Sequence, residues 1–69
     1  MPSPATDAPP RLYAARQPPQ MAPDGAVYWA EREADGGWTA CTINGFRLGG
    51  CLSEQKALRC AARLYARGD

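Results

Sequence analysis

The chain has 69 residues, eight Lys and Arg against seven Asp and Glu, a formal net charge of +1 and no histidine. That length holds one domain, and the missing histidine removes the commonest general base together with every Ser-His or Cys-His pair. Three cysteines without a Cys-x-x-Cys pair make a poor zinc set and an odd count for a secreted disulfide scaffold.

In chain order, composition changes first. All seven prolines lie between Pro2 and Pro23. Proline has no amide hydrogen and fixes its own φ, so this density predicts a disordered proline-rich arm over residues 1–23 and a folded domain over residues 24–69. No apolar run reaches half a membrane span, and no hydrophobic stretch near Met1 reads as a signal peptide. A cytoplasmic location with free thiols is therefore expected, with no membrane partner, no metal and no cofactor.

Residues 27–33, Val-Tyr-Trp-Ala-Glu-Arg-Glu, begin with strand formers and run into the turn Ala34-Asp35-Gly36-Gly37. Residues 38–43 read as a second strand. Asn44-Gly45 is a strong two-residue hairpin signal, and Phe46-Arg47-Leu48 starts a third strand that bends at Gly49-Gly50. A two-residue turn at 44–45 pairs Ile43 with Phe46 and Cys41 with Leu48 on one buried face, which Tyr28 and Ala30 join where the first hairpin has a two- or four-residue loop. The opposite face then collects Trp29, Trp38, Ala40, Thr42 and Arg47. Ser53 is the expected N-cap of a helix that runs to about Arg67 and stops at Gly68. Ala57, Leu58, Ala61 and Tyr65 form its apolar stripe, flanked by Ala62 and Leu64. Lys56, Arg59, Arg63 and Arg67 form a basic stripe. The predicted fold class is α+β: a three-stranded antiparallel sheet covered on one face by a C-terminal helix.

The run Leu52-Ser53-Glu54-Gln55-Lys56-Ala57-Leu58-Arg59-Cys60-Ala61 resembles the helix entry of small β-β-β-α modules, and Trp38 on the second strand fits the same pattern. Two groups share it: the arm-type DNA-binding domains of phage tyrosine integrases and HicB-like bacterial proteins, some of them antitoxins. The resemblance spans residues 27–66 and implies, for the integrase type, a sheet face that enters a DNA groove. This sheet carries Glu31 and Glu33 where a DNA-reading sheet carries lysines and arginines. In size and style the chain also looks like the accessory proteins of phages and mobile elements, anti-CRISPR proteins among them, which block a surface on a host effector.

No arrangement of side chains here reads as catalytic, so the chain is expected not to be an enzyme. The expected function is a small binding protein of phage or mobile-element type that inhibits a host macromolecule. The alternative is a DNA-binding β-β-β-α module of the integrase-arm or HicB-like antitoxin type. The expected contact residues are Trp29, Trp38 and Arg47, with Arg59 and Arg63 as electrostatic support, because Trp and Arg anchor interfaces. The partner is a host protein or nucleoprotein complex, or nucleic acid in the alternative. A homodimer through the third-strand edge or the Trp29/Trp38 face is also expected, since a core of this size needs reinforcement.

Overall fold

The computed structural model describes residues 13–19 and 22–69. It is an α+β fold: a four-stranded antiparallel sheet in the order β1-β4-β3-β2, with one C-terminal helix on one face. Strand β2 (Tyr28–Arg32) pairs with β3 (Trp38–Thr42), Tyr28 opposite Thr42 and Arg32 opposite Trp38. The pairing continues one step further, because the Glu33 amide donates to Gly37 O at 2.8 Å.

The second hairpin corrects the predicted faces. Strand β4 (Phe46–Cys51) sets Ala40 opposite Leu48 and Cys41 opposite Arg47. The Gly45 amide donates to Thr42 O at 3.0 Å, and Gly45 has φ +93°. The loop is thus the three residues 43–45, closed by a left-handed glycine, rather than the two-residue Asn44-Gly45 reversal. One residue of slip turns every β3 side chain to the other face. Trp38, Ala40 and Thr42 therefore share the helix-covered face with Tyr28, Ala30, Phe46 and Leu48. Cys41 and Ile43 leave that face and join Trp29 and Arg47. Further along, Trp38 lies opposite Cys51 while Ala40 lies opposite Leu48. The extra residue forms a bulge at Gly49-Gly50, which brings Leu48 and Cys51 to the same side.

The fourth strand comes from the segment expected to be a disordered arm. Strand β1 (Tyr13–Arg16) pairs with β4, Tyr13 opposite Gly49 and Arg16 opposite Phe46. Residues Tyr13–Arg16 include no proline, so each keeps an amide hydrogen for the ladder. The strand occupies the third-strand edge that was expected to form a dimer contact. The Tyr13 ring lies so close over Gly49 that a Cβ there would fall 1.9 Å from it. The rest of the predicted arm, residues 1–12, 20 and 21, lies outside the described residues. Past β1, the Gln17 amide donates to Gly45 O at 2.9 Å, and Ala22 and Ala26 pack against Trp29, Cys41 and Ile43 on the face away from the helix.

Helix α1 (Glu54–Ala66) begins where Ser53 Oγ accepts from the Lys56 amide at 3.2 Å. It ends in a Schellman motif: Asp69 N donates to Leu64 O at 2.9 Å and Gly68 N to Tyr65 O at 3.0 Å. Its buried residues are Ala57, Ala61 and Leu64, whereas Leu58 and Tyr65 are 38% and 37% exposed. The helix is rolled relative to the predicted stripe because the alanines at 57 and 61 let it sit close over Ala40. Leu64 is the large aliphatic side chain buried in this cluster, worth roughly 1.5–3 kcal/mol. No helix among the described residues is long and apolar enough to cross a membrane.

Candidate functional site

The residues expected to form one contact surface lie in three places. Trp29 and Arg47 are on the sheet face away from the helix. Trp29 is 8% exposed, packed beneath Ala22 and Ala26, so it is not an open aromatic patch. Its indole Nε1–H donates to Glu31 Oε2 at 2.9 Å, and Arg47 Nη2 donates to Glu31 Oε1 at 2.6 Å. The Arg47 hydrogen bond, with the Trp29 indole second, holds the Glu31 carboxyl below its ordinary range. The same hydrogen bond raises Arg47. Burial pushes the Cys41 thiol beside them up to about 11. This is a closed ion-pair network, and it pins β4 to β2 across the back of β3.

Trp38 stands on the other face, half-buried against the helix-side core, with the Arg32 guanidinium 5.4 Å from its ring centroid. The expectation that both tryptophans share one open face is therefore overturned by the register of the second hairpin. The two indoles bracket the sheet instead of lining it.

Arg59 and Arg63 are exposed on α1, as are Lys56 and, at the C-cap, Arg67. Spacings of three and four residues place the four cations in one stripe. Arg67 donates to Asp69 Oδ2 at 2.9 Å. No acidic residue occurs between Gln55 and Gly68 to neutralise the others. These exposed cations are the part of the expected contact residues that remains accessible.

An open cleft of about 280 Å³ lies at the far end of the sheet, lined by Glu33, Asp35, Gly37, Gly50 and Leu52 among others. Both carboxylates are engaged. Glu33 Oε2 accepts from Thr39 Oγ1 at 2.6 Å, from the Gly50 amide at 3.0 Å and from Tyr13 Oη at 3.3 Å. Asp35 Oδ1 accepts from the Gly37 amide at 3.0 Å. Glu33 thus joins the β2–β3 turn, the β4 bulge and the β1 edge through one oxygen. Among the described residues no group of three or more His, Cys, Asp or Glu side chains is arranged to hold a metal ion. Every buried side-chain nitrogen and oxygen among them has a partner.

Sequence reasoning missed Glu33, Tyr13 and Asp69 as organising residues. Glu33 was legible in part: it continues the odd-numbered row Trp29, Glu31, Glu33 on one face. Asp69 had no local signal. It binds Arg16 at 3.0 Å, while its main-chain O accepts from Thr42 Oγ1 at 2.6 Å and Asn44 Nδ2 at 3.2 Å. Comparison with known proteins returns no matching family model, no similar curated protein and no similar solved structure.

Proposed function

We propose that the chain is a small non-enzymatic binding protein that occludes an acidic surface on a macromolecular partner with the outer face of α1, in the manner of phage and mobile-element inhibitors of host machinery. The observation that carries this reading is the exposed row Lys56, Arg59 and Arg63 on a helix with no acid after Glu54, continued by Arg67 at its C-cap. An ordinary solvated helix face alternates charge at i, i+4. Here Arg59 and Arg63 repeat the same sign at that spacing, which costs about 0.2–0.5 kcal/mol, and Arg67 at the C-cap extends the row. Carboxylates on a partner relieve that repulsion, and the one-sided field steers encounter. Trp29 and Arg47, closed within the sheet network, serve the fold in this reading.

The test is capture of partners from bacterial lysate by the tagged chain, with nuclease present, compared with the Arg59→Glu/Arg63→Glu variant. Loss of a nuclease-resistant partner with an unchanged circular dichroism spectrum supports the reading. Equal capture by both chains removes the helix stripe as the contact surface.

The same row of cations supports a second reading, contact with nucleic-acid phosphates. Docking of the sheet face away from the helix, as in integrase arm domains, fits poorly because Arg47 is tied to Glu31 there. Phosphate binding predicts a gel shift at low salt with log K falling by about 0.9 per contact per unit log salt. No shift at low salt ends that reading.

A further inference from the structure

The outer edge of β2 has no strand partner among the described residues. Ile43 N donates to Val27 O at 2.8 Å and Glu33 N donates to Gly37 O at 2.8 Å. In an antiparallel ladder the main-chain groups alternate sides, so residues 27, 29, 31 and 33 face β3, and Tyr28, Ala30 and Arg32 aim N–H and C=O outward. Exposed edges are usually guarded by proline, lysine or a bulge. Strand β2 has none of these. Its two charged side chains are drawn onto the faces: Glu31 to Trp29 and Arg47, and Arg32 over the Trp38 ring. The other edge, β1, is only four residues long and runs into Pro18-Pro19.

Past Glu54 in the first turn, the helix flank above β2 is uncharged. Tyr65 meets Tyr28 with ring centroids 6.3 Å apart, which places that flank over the open edge. Leu58 lies two turns earlier on the same flank, with Ala62 between them. Leu58 and Tyr65 are among the large apolar side chains left exposed. The cationic stripe lies on the top and on the opposite flank.

We infer that β2 and this helix flank bind a second copy of the chain, the two β2 strands pairing antiparallel about a two-fold axis at Ala30. Self-complementarity argues for that occupant. The register places Tyr28 opposite Arg32 of the second copy and Ala30 opposite its own equivalent. Those are the residues whose main-chain groups point outward, so all of them pair. Trp29 falls opposite Glu31 of the second copy, and no like charges lie directly opposite each other across the paired strands. The helix packs chiefly on β2 and β3. Strands are about 4.8 Å apart, so the two helix axes come to lie about 10 Å apart, a packing distance for helices with small residues between them. Ala62 sits about 4.5 Å along the helix from Tyr65, within one residue of the level of Ala30. Alanines therefore lie at the axis, and Leu58 of each copy meets Tyr65 of the other. The result is an eight-stranded sheet with two helices on one side, an isologous interface. It enlarges a core whose most buried helix residues are alanines.

The inference stands apart from the cationic stripe and is tested on the full chain. Sedimentation equilibrium should give twice the 7.4 kDa chain mass. Leu58→Glu and Tyr65→Glu should each raise the dimer Kd by at least about tenfold, whereas Arg59→Glu on the other flank should change it less than about twofold. In the wild-type dimer the amides of Tyr28, Ala30 and Arg32 should be as protected from hydrogen exchange as those of Trp29 and Glu31. A monomer up to about 1 mM overturns the inference. So does a dimer in which those three amides exchange freely, or one that Leu58→Glu and Tyr65→Glu leave intact.

Discussion

Glu33→Ala removes the carboxylate that ties three parts of the sheet together. Its largest cost falls on Thr39, which is 2% exposed and donates to Glu33 Oε2 at 2.6 Å. A buried hydroxyl left without a partner costs about 1–3 kcal/mol. The Gly50 amide, half-buried in the bulge at 3.0 Å, adds about 0.5–1.5 kcal/mol. The Tyr13 hydroxyl is exposed at 3.3 Å and adds little. The expected loss is therefore roughly 2–4 kcal/mol, a large share of the roughly 3–10 kcal/mol total for a chain of this length. Urea unfolding followed by circular dichroism should show the midpoint falling by about 2 M or more at a slope near 1 kcal/mol/M. Thr39→Val deletes the donor without leaving it unsatisfied and should cost less. The double variant should be less than additive by about 1 kcal/mol. The Asp35→Ala control removes only an exposed turn bond and should stay within about 0.5–1 kcal/mol. If Glu33→Ala unfolds within about 0.5 kcal/mol of wild type, the carboxylate is solvated and the argument fails.

Three further outcomes are expected. The Glu31 carboxyl is held below its ordinary 4.5 by Arg47 first and Trp29 second, so its contribution is present above that value and lost as pH falls through the lower folded-state value. Arg47→Met should flatten this acid limb in pH-resolved unfolding curves, and an unchanged limb would assign it to other groups. Burial holds the Cys41 thiol neutral up to about 11 against an ordinary 9.0. Stability should therefore fall as pH rises from 9 towards 11, and iodoacetamide at pH 8 should label half-buried Cys60 well before Cys41; equal labelling rates would contradict the burial. Gly49→Ala places a methyl within the Tyr13 ring and should release β1 while the other strands and the helix persist. Loss of protection at the Ala15 amide, with Trp29 still protected, is the readout; an undisturbed β1 would refute the close approach.

The three central strands and the helix were legible because alternation, turn glycines and the Ser53 cap each act locally. Register was not, because Asn44-Gly45 serves equally as a two-residue turn or as the end of a three-residue one. The choice depends on which β3 face the helix covers. Small Ala40 under Ala57 and Ala61 decides it, together with the Gln17 main chain packed on Gly45. Strand β1 was hidden by the prolines on either side of it. The dipeptide Tyr-Ala makes the same point: Tyr13-Ala14 is strand and Tyr65-Ala66 is helix, so tertiary partners set the conformation. The exposed cationic stripe was readable from helical spacing alone. The shared tryptophan face failed with the register, since a one-residue slip moves Trp38 but not Trp29.

The two indoles on opposite sides of the sheet make this chain its own pair of optical probes. With Trp38 replaced by Phe, emission reports only on the layer formed by Ala22 and Ala26 over Trp29. With Trp29 replaced, it reports only on the seating of the helix. Unfolding traces from the two single-tryptophan chains, overlaid, would reveal whether the layers separate together or in sequence.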